Sequence, residues 1–390
     1  MNRFSSQTYA ATRRPLEQAS ALPGWCYHDA EWHEREMDAI FRKDWLCIGR
    51  TEQIPRPGDY YTMDLVGQPL IVVHDTEGVV RVHSAVCRHR AAVVAQGEGH
   101  CRAFVCPYHS WSYGLDGRLL AVPGPMRASV GFAKEANGLH PVRCELWGGF
   151  IFANLDPDAP PLLQALGQAA TFLANYDLAA MRRTHFDVLE VGCNWKVWLE
   201  NAFENYHTAT VHHKHVDPAR PSQWVFETMT DGSFEAFYSE RSLVSYGGLP
   251  AIEGLAPRQA GGMFHLWLKP SLQLVLTPTY VKYRQYLPEV PDRLRLIENW
   301  MFPATTIARP EFAEIVTAGY YDRYAEILRE DAALVPAVQH GLRSGAYRPG
   351  RYSTEEYIVH RIANWVLDRT LAGEPTATAA TTATMATTAS

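Results

Sequence analysis

The spacing of apolar residues changes period several times along this chain, and each change predicts a different element. A polar opening gives way to helical spacing between Asp29 and Phe41, which predicts a short helix at the end of residues 1–41. From Asp44 the texture turns β-like. Pro69–Asp75 and Val79–Val86 are β-branched runs separated by Thr76-Glu-Gly, the pattern of a hairpin whose second strand leads into Cys87. Trp111–Leu115 and Arg118–Val122 flank Asp116-Gly117 and predict a second hairpin just after Cys106. Glu145–Leu155 reads as one further strand, and the proline-rich stretch Asp156–Pro161 marks a domain boundary near residue 155.

Beyond that boundary the pattern predicts a helix over about 161–175, a strand over about 183–192, a helix from Asn194, strand-like runs between Met263 and Pro303, and two C-terminal helices. The fold class expected is α+β. Residues 42–155 form an all-β domain, and 156–373 combine an antiparallel sheet with long helices, onto which the 1–41 lead-in packs. Residues 374–390 are low-complexity sequence with almost nothing to bury and are expected to be a disordered tail. No internal repeat is apparent.

Composition narrows the function classes. The chain has 390 residues, 47% hydrophobic and 20% charged, enough for a substantial core in two domains and unlike disordered or fibrous sequence. A net charge of −6 without a block of Lys/Arg argues against a nucleic-acid partner. No apolar run approaches the roughly 18 residues of a membrane span, and the opening lacks the apolar stretch of a secretory signal, so a cytoplasmic protein with no membrane partner is expected. Seven cysteines are too few for a disulfide scaffold, and an odd number leaves one over, which points to ligation instead.

Two of them sit in the most specific pattern of the chain: Cys87-Arg-His89, sixteen residues, then Cys106-Pro-Tyr-His109. Each arm offers one thiolate and one imidazole. A tetrahedral zinc can use such a set, although zinc fingers pair Cys with Cys and His with His along the chain. A Rieske [2Fe–2S] centre requires two cysteines on one iron and two histidines on the other, which two such arms supply. Cys26, Cys47, Cys101, Cys144 and Cys193 lack ligand spacing and are expected to be buried small apolar residues.

A second constellation lies in the segment from Asn194 to His212. Trp195, Trp198, Ala202 and Tyr206 recur on one helical face, with Glu200, Glu204 and His207 on the other. On an ideal helix His207 and His212 point roughly 140° apart, so convergence on one metal needs a broken or π-bulged turn between them. Two imidazoles leave a divalent iron short of charge, and an anionic third group completes a facial triad. Along the helix predicted over Tyr320–Leu342 the apolar stripe runs through Tyr324, Ile327, Leu328, Leu334, Val335 and Val338, and Asp331 interrupts it. A carboxylate there is expensive unless paired. Glu326 and Glu330 lie off the stripe and are expected to be solvated, which leaves Asp331 as the third ligand. His213 and His215 are rivals to His212, with surface positions expected for both.

The run CRHR followed by CPYHSWSYGLDGRL resembles the cluster motif of Rieske-type non-haem iron oxygenase large subunits, and NWKxxxEN, ENYH-x4-H and the later Glu330-Asp331 pair with Gln339 resemble their catalytic domain, over roughly residues 40–370. The resemblance implies an all-β Rieske domain followed by a helix-grip-like catalytic domain. It implies that Cys87 and Cys106 hold one cluster iron and His89 and His109 the other, walled from solvent by Gly97, Gly99, Tyr108, Trp111 and Tyr113. His207, His212 and Asp331 would then bind a mononuclear Fe(II), with Asn201 and Glu204 among the catalytic residues and Glu204 bridging electrons from cluster to iron. Most of the family carry Asp at that position. Glu is found in the branch acting on quaternary ammonium compounds such as carnitine and choline, so the resemblance implies either an aromatic substrate that is hydroxylated or a quaternary-ammonium or betaine substrate that is oxidatively N-demethylated.

The sequence has no dinucleotide-binding glycine fingerprint, so electrons from NAD(P)H are expected through a separate reductase, with or without a ferredoxin. The family further implies a homotrimer in which one subunit's cluster serves the next subunit's iron, with dioxygen and a small organic molecule as co-substrates. Trp224, Phe226, Phe237, Tyr238, Phe264, Trp267 and Tyr280 are candidates for an apolar pocket or an aromatic cage, most of them core. A competing reading is an electron carrier or ligand-binding protein without oxygenase chemistry.

Overall fold

In the computed structural model the described residues are 2–124, 126, 129–215, 227–239 and 248–372, so the expected tail at 374–390 lies outside them, as do Trp224 and Phe226. Among the described residues the strands form three antiparallel sheets. The first runs in the order Leu46–Arg50, Phe150–Asn154, Pro141–Trp147, Val80–Ser84, Gln68–His74, Asp59–Leu65, Glu98–His100. Its hairpin between Gln68–His74 and Val80–Ser84 turns on Asp75, whose Oδ1 accepts from the backbone N–H of Glu77 and Val79. A small sheet of Phe104–Val105, Ser112–Tyr113 and Leu119–Ala121 packs beside it around Ile71, Val73, Phe104, Trp111, Tyr113 and Leu119.

The second large sheet runs Met181–Val191, Arg293–Pro303, Val281–Val290, Leu272–Leu276, Met263–Leu268, Phe234–Ser239, Glu227–Thr230. Period-two alternation gives it two different faces. Phe234, Ala236, Tyr238, Phe264, Leu266, Leu268, Leu272, Leu274, Leu276 and Tyr283 close a buried core. Phe237, Ser239, Met263, His265, Gln273, Val275, Lys282 and Arg284 line a cavity instead. Two helices bound that cavity, Trp195–Ala202 and the long Arg323–Leu342. Asn194 starts the first by accepting from the Lys196 N–H.

The N-terminal helix Ala30–Glu36, capped by Asp29 and continued as a π-turn over Met37–Phe41, is tied to the Trp195–Ala202 helix by one buried ion pair. The Glu36 carboxylate accepts from Lys196 Nζ at 2.6 Å, Trp32 Nε1 at 2.8 Å and Trp195 Nε1 at 2.8 Å, with both charged side chains fully buried. Every lone pair facing those donors is used, which is the condition under which a buried pair is tolerated. Next to it Tyr27 donates to Glu200, joining the same two segments.

Several expectations need correction. Glu145–Leu155 is not one strand: Gly148 and Gly149, at φ +57° and +79°, close a two-residue hairpin between Trp147 and Phe150. Positive φ at both turn positions matches the right-handed twist of the flanking strands, and glycine carries it without a Cβ clash. The helix expected over 161–175 is broken into Leu162–Leu166, Ala169–Phe172 and Ala174–Tyr176, with Gly167 at φ +53° interrupting it. The Trp195 helix stops at Ala202, so Tyr206 leaves the apolar face and is 69% exposed. Leu334 and Val338 of the expected stripe are also exposed, because Leu328, Val335 and Gln339 are the positions that face the core. Cys101 and Cys144 are half-buried, whereas Cys26, Cys47 and Cys193 are buried.

Glu36→Ala leaves the Lys196 ammonium buried without a counter-ion and is expected to cost about 3–5 kcal/mol of unfolding free energy, read from denaturant midpoints. Glu200 supplies a pH signature. Burial pushes its carboxyl up from 4.5 to about 7, against the Tyr27 hydrogen bond and the Lys196 charge. The folded state therefore holds a proton that the unfolded state releases, and stability falls as pH rises between those values. Glu200→Gln is expected to remove that slope in thermal melts taken from pH 4.5 to 8.

Candidate metal centres

The two Cys/His arms fold as near-copies. In each, the backbone N–H four residues after the cysteine returns to its carbonyl, Ala91 to Cys87 and Ser110 to Cys106 at 3.0 Å each, with both residues left-handed at φ +58° and +57°. A non-glycine residue is strained there, and two such residues at matched positions mark a functional constraint. Cys87 and Cys106 are buried and free of disulfide. Tyr113 OH lies 3.1 Å from Cys87 Sγ, and burial, helped by that hydrogen bond, pushes the phenol above its ordinary range. His89 and His109 face each other with Nδ1 atoms 3.1 Å apart, His89 stacking on Trp111 at 4.9 Å. Two like nitrogens this close suit a shared acceptor of their lone pairs, so the donor set fits an iron between imidazoles and a second between thiolates. Trp111 and Tyr113 are buried as expected. Gly97, Gly99 and Tyr108 are exposed, since Glu98–His100 is an edge strand of the first sheet and the Tyr108 ring lies outside His109.

Across the second sheet, His207, His212 and Asp331 bring one ligand atom each within 4.8 Å of one another. The helix breaks at Phe203–Tyr206, upstream of His207 rather than between the histidines, and a single four-residue turn, Thr208–Val211, then carries one imidazole at each end. Asp331 Oδ1 lies 3.6 Å from His207 Nε2 and 3.2 Å from His212 Nε2. Asn201 Nδ2 approaches both Asp331 Oδ1 and His207 Nε2, at 3.4 and 3.5 Å. The carboxylate placed in an apolar stripe is thus matched by two imidazoles, which answers its desolvation. The set fits a divalent iron with open positions.

Each imidazole is also held from behind. Glu204 Oε1 takes His207 Nδ1 at 2.5 Å, and Glu330 Oε2 takes His212 Nδ1 at 2.8 Å, leaving both Nε2 atoms directed at Asp331. A carboxylate on the far nitrogen fixes tautomer and ring orientation. Burial works against the charged form of His212, but Asp331 and Glu330 outweigh it and hold its pKa above the ordinary value. The same carboxylates favour any cation placed there. Glu330 was expected in solvent and is a correction: His212 reaches it from the side of the helix that the sequence pattern left unassigned. His215 is a second correction. Its side chain is 12% exposed, lies 3.6 and 3.7 Å from Glu326 and Glu330, and borders the cavity, whereas His213 is exposed.

The cavity, ≈ 170 Å³, joins the imidazole end to the sheet. Of the aromatic candidates only Phe237 lines it among the described residues. Tyr238, Phe264, Trp267 and Tyr280 are core, facing away or packed beneath. Tyr324, not expected as a pocket residue, lines it too.

Comparison with known proteins agrees with this geometry. Residues 178–372 match the model of the ring hydroxylating alpha subunit (catalytic domain), and residues 44–134 that of the Rieske [2Fe-2S] domain. The carnitine monooxygenase oxygenase subunit of Acinetobacter pittii (strain PHEA-2) is 28% identical, over 87% of this chain and 90% of its own. The glycine betaine monooxygenase oxygenase subunit of Pseudomonas aeruginosa (strain UCBPP-PA14) is also 28% identical, over 92% and 91%. The crystal structure of naphthalene 1,2-dioxygenase from Rhodococcus sp. bound to indole superposes with a TM-score of 0.77 at 20% identity, over 95% of this chain and all of that one.

Glu330→Ala removes the acceptor behind His212. Iron affinity is expected to fall about 10–100-fold in metal-exchange titrations while the visible spectrum of the cluster stays unchanged, and Glu330→Gln, which keeps an acceptor, should lose less.

Proposed function

This chain belongs to the ring-hydroxylating alpha-subunit family, with a Rieske [2Fe–2S] domain ahead of the catalytic one, and from that premise we propose that it oxidises a small quaternary ammonium compound by N-demethylation. It is the oxygenase component of a Rieske system, working with a cluster, a mononuclear iron, dioxygen and electrons from a separate NAD(P)H-dependent reductase. The observation that carries the substrate reading is Glu204, whose Oε1 meets His207 Nδ1 at 2.5 Å, since the family resemblance implies that a glutamate at this position belongs to the quaternary ammonium branch. The named activities of the carnitine and glycine betaine relatives support it.

When bound, the cluster supplies electrons singly and the mononuclear iron supplies a site where dioxygen is activated. Cys87, Cys106, His89 and His109 hold the former in this reading, and His207, His212 and Asp331 the latter. The protein's own groups do the rest. Glu204 and Glu330 fix the Nδ1 protons of the two imidazoles and so aim their Nε2 lone pairs. Asn201 bridges Asp331 and His207, restricting the carboxylate's rotation. The sheet face from Phe237 to Arg284 excludes water and orients substrate. Overall, two electrons from NAD(P)H and two protons reduce one oxygen atom to water while the other enters a C–H bond.

Residues 42–155 deliver electrons and residues 156–373 hold the chemistry in this proposal, within a homotrimer in which His109 of one subunit serves Glu204 of the next. Tyr108 beside His109 and Tyr206 beside His207, 56% and 69% exposed, support edges that meet across a subunit boundary. No helix among the described residues is long and apolar enough to cross a membrane, and a cytoplasmic setting would supply the NAD(P)H.

Reconstitution with a reductase and NADH tests the proposal: oxygen uptake coupled to formaldehyde release from a betaine supports it, and uptake coupled only to hydroxylated aromatic products overturns the substrate reading. His89→Ala is expected to abolish the visible cluster spectrum. Asp331→Ala should keep the colour and lower turnover by at least about 100-fold, and full activity in that variant would remove Asp331 from the ligand set.

A further inference from the structure

The sheet end of the cavity carries more positive charge than its own acids neutralise. Lys282 and Arg284, neighbours on one face of Val281–Val290, both bind Glu298 of the adjacent strand, at 2.5 Å each. Burial opposes ionisation of Glu298, but the two cations outweigh it and hold its carboxyl below the usual range. Burial pushes the Lys282 ammonium down to about 8, which still leaves it charged at neutral pH. His265 adds no anion: burial, Lys282 and Arg284 drive it to about 3, so it is neutral. Two cations therefore share one hydrogen-bonded carboxylate in a desolvated site, with Asp187 and Asp331 acting on them without direct contact. The other acids of the lining, Glu204 and Asp331, make their hydrogen bonds and ion pairs to the imidazoles.

Arg284 spends Nε on Glu298 and Nη1 on Gln273 at 3.2 Å, and a hydrogen bond with the Tyr286 phenol steadies its fork at the cavity wall. Lys282 Nζ has Glu298 as its one hydrogen-bond acceptor among the described residues, and caps the Tyr324 ring 3.3 Å from its centroid. That contact removes one of two aromatic faces available to a substrate cation, and the other, Phe237, is stacked on His265 at 4.6 Å. An aromatic cage among the described residues is thus already taken up by the protein.

We propose that Arg284 and Lys282 form an anion subsite opposite the imidazole end, and that the substrate carries a carboxylate that docks there. This inference rests on the oxygenase reading and narrows its substrate class from any quaternary ammonium compound to one bearing an acid. The carboxylate supplies the missing negative charge and accepts from the guanidinium fork, and it sets which end of the substrate faces His207 and His212.

Anaerobic titration calorimetry of the holoenzyme tests it with two matched pairs: γ-butyrobetaine against choline, and benzoate against benzamide. In at least one pair the acid is expected to bind about tenfold or more tightly than its carboxylate-free partner. Arg284→Gln should abolish that advantage without weakening the carboxylate-free partner or changing the cluster spectrum. Arg284→Gln combined with Glu298→Gln removes the acid together with its guanidinium and should give the same loss, which covers failure of the single variant to fold. The pair showing the advantage distinguishes a betaine from an aromatic acid. Equal binding of acids and carboxylate-free partners, no binding of either acid at millimolar concentration, or an unchanged advantage in the variants overturns the subsite. Preferential acid binding without oxygen-dependent product from any of the four compounds would instead leave the subsite standing and sink the oxygenase reading.

Discussion

The structure turns on one electrostatic problem: the Asp331 carboxylate sits on the inward side of a long helix and has to be matched by groups brought from another element. His207 and His212 supply the match, and they converge only because the Trp195–Ala202 helix ends early and a single turn follows. That break in turn needs its upstream half anchored, which the Glu36–Lys196 pair and its two tryptophan donors provide. The N-terminal segment is therefore part of the centre's foundation although none of its residues comes near it. A loss of rigidity there transmits to ligand geometry, since donor sets tolerate little misplacement.

The second sheet separates stability from chemistry by parity. One set of alternate side chains is aliphatic and aromatic and closes a core, while the set between them is mixed and charged and faces the cavity. Substitutions that retune the cavity can thus accumulate on one face without disturbing packing on the other. A carnitine and a glycine betaine monooxygenase subunit resemble this chain in sequence and a naphthalene 1,2-dioxygenase shares its fold, as expected where function resides in the side chains of one face.

Much of this was legible in the sequence, for identifiable reasons. The Cys/His arms stand out because four ligand residues at fixed spacing are chemically unusual, and Asp331 because a charge interrupts an apolar stripe. The hairpin at Gly148-Gly149 was also signalled, since paired glycines between apolar runs favour that turn, but the continuous apolar texture of Glu145–Leu155 concealed it. Parity would have sorted the aromatic candidates: Phe237 and Tyr238 are neighbours on a strand and face opposite sides. Glu330 was not legible. Its position on its own helix says solvent, and only the approach of His212 from another element gives it a partner, a fact of tertiary packing without a local signature. The same holds for Lys282, whose burial depends on a strand and a helix distant in sequence.

The matched left-handed turns at Ala91 and Ser110 carry an implication for the two non-ligand positions themselves. In both arms the loop is closed by a main-chain bond from that residue to the cysteine carbonyl, and both cysteines belong to the apolar packing of Trp111, Tyr113 and Phe104. Main-chain shape thus sets where each thiol and imidazole is presented, and a β-branched replacement at either turn would skew an arm without altering a single donor.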